Sequence, residues 1–173
     1  MISAGLLDGE HLELIDGELI DKKGKNEPHL WTVMLLHEWL VPLFGARRVL
    51  KEDPINVAPK DKEHSEPEPD LVVLRENRGP GKMKPQPEDI LLTIEVADSS
   101  RSFDLTKKAE LYARAGIPDY WVFDTNRREV IVHREPASGK YTSVVKYREH
   151  ETVAPLAAPQ HELKITGAFD PKS

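Results

Sequence analysis

The chain has 173 residues, 39% hydrophobic and 31% charged, with a formal net charge of −6 and no cysteine. This is the composition of a soluble globular protein, with enough chain for a single domain (1–173) and a sizeable core. The missing cysteine excludes disulfides, thiolate metal sites and a Cys nucleophile, so any metal must be held by carboxylate oxygen or imidazole, and oxygen donors favour magnesium or manganese.

No apolar run approaches the roughly 20 residues that cross a bilayer, and the N-terminus lacks a basic stretch followed by an apolar one, so a cytoplasmic location is expected. The acidic balance argues against a surface that grips nucleic acid everywhere. The local basic clusters Arg47-Arg48, Lys82 to Lys84 and Arg127-Arg128 read as solvated loop residues, although together they could line one face.

In chain order, Leu12 to Ile20 carries Asp16-Gly17 between apolar runs, which predicts a hairpin closed by a turn with positive φ. Residues 28 to 44 place Leu30, Val33, Met34, Leu36, Leu40, Val41 and Phe44 near a helical period. That helix should kink or end at Pro42 and be over by Gly45. Arg48 to Val57 reads as a strand and Pro59 to Pro69 as a loop. The runs Glu68 to Leu74 and Ile90 to Val96 read as strands separated by a proline-rich and glycine-rich loop, Glu76 to Asp89. A helix is expected from about Asp104 to Ala115, stopped by Gly116 and Pro118. Asp119 to Asp124 and Glu129 to Arg134 should pair as a hairpin, with one more strand over Tyr141 to Val153. The order implies an α/β or α+β domain: a central mixed β-sheet flanked by helices, with an N-terminal β-hairpin.

Asp70 and Glu95, 25 residues apart, each interrupt one of these apolar strands. An unpaired carboxylate there costs several kcal/mol or protonates, so each must face a partner or a cation. If the two strands pair, both carboxylates converge on one ion, and the main-chain carbonyl of Val96 could add a third oxygen. Such an ion supplies the polarised phosphate and activated water that phosphodiester hydrolysis requires. A nearby ammonium would relieve charge as a compact point.

The residues Glu-Leu-Ile-Asp-Gly-Glu at 13 to 18, Pro69-Asp70, Ile94-Glu95-Val96, then Asp104, Lys108, Tyr112 and Gly-Ile-Pro-Asp-Tyr-Trp at 116 to 121, resemble the Uma-two family of restriction endonuclease-like proteins. That family belongs to the PD-(D/E)xK nuclease superfamily, and the resemblance spans roughly residues 12 to 135. It implies a restriction-endonuclease-like core and a magnesium-dependent or manganese-dependent endonuclease acting on DNA. Asp70 and Glu95 would be the metal ligands. The superfamily's usual lysine position, two residues after the strand glutamate, is here Ala97. The resemblance supplies the lysine from the following helix as Lys108, with Lys107 as the fallback. On a regular helix Asp104, Lys108 and Tyr112 share one face, where the competing reading is a surface Asp104–Lys108 bridge. The superfamily's N-terminal acidic residue would be Glu18 or Glu13, with Glu18 taken to assist catalysis and a solvated hairpin carboxylate as the alternative. His29 matches a position where the family frequently carries histidine; otherwise it is a helix-capping or partly exposed histidine. His11, His37, His64, His133, His150 and His161 show no paired ligand spacing and are expected at the surface, whereas Tyr112, Tyr120 and Trp121 are expected in the core.

Three functional readings stand at this point: a DNA endonuclease, a catalytically inactive nuclease-fold module that binds or regulates, and another metal-dependent phosphoesterase. A two-fold homodimer is expected from the hydrophobic hairpin edge and from the logic of cutting both strands.

Overall fold

The computed structural model describes residues 12–22, 25–81 and 84–171; His11 and Lys82 of the sequence reading lie outside them. Strands β1 (Leu12–Ile15) and β2 (Glu18–Asp21) pair antiparallel, Ile15 against Glu18 and Leu14 against Leu19. Asp16 and Gly17 turn at φ 48° and 82°, as the Asp-Gly chemistry requires. Helix α1 (Glu27–Phe44) starts at Asn26, whose side chain accepts from the His29 amide at 3.0 Å, and ends at Gly45, φ 92°. It runs on through Pro42, because in the last turn the ring removes only a terminal hydrogen bond.

Six strands form the central sheet in the order β3-β4-β5-β6-β7-β8: β3 (Val49–Lys51), β4 (Leu71–Leu74), β5 (Ile90–Ala97), β6 (Asp119–Asp124), β7 (Glu129–Ala137) and β8 (Lys140–Arg148). Only β5 and β6 run parallel, so the sheet is mixed. The connection between those two holds the second helical region, in three consecutive pieces: α2 (Arg101–Phe103), a π-helical turn (Asp104–Lys108) and α3 (Ala109–Arg114).

Alternation along the strands sorts the core onto two faces. Leu71, Val73, Leu92, Ile94, Val96, Trp121 and Phe123 pack with Val33, Leu36 and Leu40 of α1. Leu50, Val72, Ile90, Tyr120 and Val122 pack with Ala109 and Tyr112 on the other side. The hairpin seats Ile15 against Leu111 and Val57, which anchors β1 over α3.

Three expectations need correction. The strand expected over Arg48 to Val57 stops at Lys51, because Glu52 takes φ 55° and Pro54 follows; the buried Ile55 and Val57 lie in irregular chain. The strand expected over Tyr141 to Val153 is two: β8 ends at Arg148, and β9 (Thr152–Val153) leaves the main sheet to pair with β10 (Leu163–Lys164). The helix expected from Asp104 begins at Arg101. No helix among the described residues is long and apolar enough to cross a membrane.

Candidate active site

Strands β4 and β5 pair antiparallel with Leu71 opposite Ile94. One further step of that register sets Asp70, just before β4, beside Glu95 of β5. Both carboxylates are buried, each 2% exposed. Asp70 Oδ2 accepts from the Val96 amide at 2.8 Å, and its Oδ1 lies 3.3 Å from His29 Nε2 on the first turn of α1. Burial pushes the Asp70 carboxyl up, but the His29 hydrogen bond, the charges of Lys22 and His29 and the Val96 amide outweigh it. Asp70 is therefore held well below the usual carboxylate range.

Glu95 is in the opposite condition. Lys108 Nζ and the Tyr112 hydroxyl both donate to its Oε1, each at 2.9 Å. Lys108 also pairs with Glu13 Oε2 at 2.8 Å and Asp104 Oδ1 at 3.5 Å, so its three donors face three carboxylates. Burial lowers the Lys108 pKa, yet Glu95, Asp104 and Glu13 together raise it well above the ordinary lysine value. One ammonium cannot neutralise all three. Burial consequently pushes Glu95 up to about 8 against the pull of Lys108 and Lys22, with Asp70 and Asp104 adding to the rise. Asp104 is raised by burial in the same sense, while its Oδ2 accepts from Ser100 Oγ at 2.6 Å.

Except for Tyr112, these groups line a cleft of about 200 Å³ together with Lys22, Lys25, Asn26, Asp98 and Ser99. A larger cavity, about 610 Å³, lies elsewhere around Asn56, Leu74 and Arg78 and holds none of the candidate residues. Among the described residues no three metal-ligating side chains are gathered closely enough to enclose an ion. Asp70 and Glu95 are the side chains that could hold a magnesium ion, which keeps several waters and needs only one or two carboxylates.

A family model described as "Putative restriction endonuclease", Uma2, matches residues 5–166. The chain belongs to the Uma2 family. The fold of this Uma2 chain is also that of a solved structure, a crystal structure titled as a putative nuclease belonging to DUF820 from Anabaena variabilis. The two superpose with a TM-score of 0.70 at 19% identity, covering 91% of this chain and 89% of that one. No curated protein matches the chain significantly.

The structure brings Asp70, Glu95, Val96 and Lys108 together in the cleft, with Lys107 exposed. It does not bring Glu18, which is exposed at the turn end of β2 and is no part of the cleft lining. Glu13 stands there instead. It shares a face of the hairpin with Ile15 and, by the register that sets Ile15 opposite Glu18, with Glu18 too; Glu13 is buried and Glu18 exposed because Glu18 sits at the turn end. Tyr112 is in the core as expected, but its hydroxyl also donates to Glu95, a role the sequence reading did not give it. His29 does not cap α1; Asn26 does, which leaves the imidazole to Asp70. His133, expected at the surface, is buried between Tyr120 and Tyr141, and burial lowers its pKa.

Proposed function

We propose that this Uma2-family chain is a metal-dependent endonuclease that hydrolyses DNA phosphodiester bonds. The observation that carries the reading is the convergence of Lys108 and Tyr112 on one oxygen of Glu95, beside an ionised Asp70 and at the bottom of an open cleft. Asp70 and Glu95, with the main-chain oxygen of Val96, would hold magnesium or manganese. Such an ion polarises the phosphate and lowers the pKa of its bound water. Lys108 holds Oε1 of Glu95, and its buried positive charge would stabilise the reacting phosphate through that carboxylate without touching it. Glu13 and Asp104 position that ammonium rather than touch substrate.

A homodimer belongs to the same proposal. Cutting both antiparallel strands calls for two sites related by a two-fold axis, and Leu19, 55% exposed on the hairpin edge, offers apolar surface for pairing.

The test is nicking of supercoiled plasmid in magnesium or manganese. Wild type should nick, and Asp70→Ala and Lys108→Ala should each fall by at least about 10²-fold, the usual scale for losing one electrostatic group at a reacting centre. An inert wild type that still binds DNA would favour the second reading, a non-catalytic nuclease-fold module. That reading draws on one observation, the engagement of all three Lys108 donors by carboxylates.

A further inference from the structure

Lys22 and Lys25, in the connection between β2 and α1, line the same cleft, and neither is among the metal-holding or catalytic residues above. The Lys22 ammonium reaches the main-chain oxygen of Glu68, and that of Lys25 pairs with Glu52. Both are coupled to the carboxylate pair: Lys22 lowers Asp70 and Glu95, and Lys25, whose pKa burial lowers, is raised in part by the charges of Asp70 and Glu95.

The cleft lining holds six carboxylates, from Glu13, Asp21, Asp70, Glu95, Asp98 and Asp104, against three lysines. A polyanion approaching it meets net negative charge and needs cations at the mouth. Lys108 cannot serve, being 2% exposed with every donor on a carboxylate. Lys22 and Lys25 are thus the lysine or arginine side chains left for an entering anion among the described lining residues. Their present partners are weak competitors: Lys22 holds a neutral carbonyl, and the Glu52 carboxylate is partly in solvent, where an ion pair is worth little. Exchanging either for a phosphate oxygen forms a charge-assisted hydrogen bond.

We infer that Lys22 and Lys25 bind the phosphodiester backbone of the nucleic acid beside the Asp70–Glu95 pair, replacing Glu68 and Glu52 with phosphate oxygens. The inference rests on the nuclease reading, and its test separates the two. The fluorescence anisotropy of a short labelled duplex DNA, titrated with the full chain in calcium at several salt concentrations, reads affinity and salt slope; plasmid nicking is measured alongside. Lys22→Ala and Lys25→Ala should each weaken binding roughly tenfold and reduce the slope of log K against log salt by about 0.9. Lys164→Ala, at an exposed position of β10 outside the cleft, should change neither. Lys22→Arg and Lys25→Arg should restore most of the slope, which a merely misfolded variant would not show.

Nicking by wild type with unchanged affinity and slope in both alanine variants would overturn the inference and leave the nuclease standing. Lysine-dependent binding by a wild type that does not nick would overturn catalysis and keep the phosphate contacts. An absence of any duplex binding would overturn the inference as well.

Discussion

Lys108 has three donors and three carboxylate partners, an arrangement that holds only while the charge at its centre is present. Lys108→Met keeps most of the volume and removes that charge, leaving Glu13, Glu95 and Asp104 buried together. Breaking a buried ion pair in this way costs about 3–5 kcal/mol. The loss, read from urea unfolding at neutral pH, should shrink in acid, where the stranded carboxylates protonate; an equal loss at both would show that packing alone was removed. Glu95 itself sets a second pH dependence. Its folded pKa of about 8 lies above the reference value of 4.5, so between those limits the folded protein keeps a proton that the unfolded chain releases. Its contribution is complete below the lower value and is lost as pH rises through the upper one. Asp104, also raised, acts in the same direction. Asp70, depressed, acts oppositely and only at the acid end: its contribution is present above its ordinary value and is lost as pH falls. Metal-free protein should therefore lose stability from mildly acid to mildly alkaline pH, and Glu95→Gln should flatten that decline. A decline identical in Glu95→Gln would assign it to other groups.

The elements that carry these residues differ in how far local chemistry determines them. The β1–β2 hairpin is legible because its turn is a two-residue requirement for positive φ, met by Asp16 and Gly17. Gly17→Ala places a Cβ where nothing lies within 4 Å, so its cost is conformational, about 1–2 kcal/mol. Since β1 carries Glu13 to Lys108, amide exchange should quicken in β1 and β2 while β4 to β6 keep their protection; uniform quickening would mean that the hairpin does not open separately. The strands bearing Asp70 and Glu95 are equally legible, as acidic interruptions of apolar runs. The π-helical turn is not. Asp104 and Lys108 remain 3.5 Å apart across it, as a regular helix would also allow, so spacing alone does not reveal it. Thr106 Oγ1 donates to the Ser102 carbonyl at 2.7 Å, a back-bond that competes with the helical ladder. Such turns recur at functional sites. The break between β8 and β9 was hidden for another reason: β9 is fixed by pairing with β10, residues away in sequence, and not by its own propensity. Glu13 and Glu18 were left unresolved because a two-stranded hairpin shows its buried end only once the covering helix is placed.

At the scale of the whole molecule, the cleft joins parts of unequal strength. Asp70 adjoins β4 and Glu95 lies on β5, strands buried on both faces, whereas His29, Lys22, Lys25 and Glu13 come from α1, its preceding connection and a hairpin that is marginal without the packing beneath it. An ion held between Asp70 and Glu95 binds the folded state alone and relieves the charge deficit at Glu95, so it should stabilise the entire fold. At a hundred times its dissociation constant that linkage contributes about 2.7 kcal/mol. For a chain of this length it corresponds to a rise in Tm of roughly 5–10 °C. Differential scanning fluorimetry with magnesium and with manganese measures it directly. Asp70→Asn and Glu95→Gln should each abolish most of the rise, and Glu18→Gln, at an exposed position outside the cleft, should leave it intact. If all three variants respond like wild type, the ion binds elsewhere on an acidic surface and the carboxylate pair is not its site. If Glu18→Gln alone loses the rise, the hairpin rotates its outer glutamate into the site when the ion binds, and the Glu13–Lys108 pair must open to allow it.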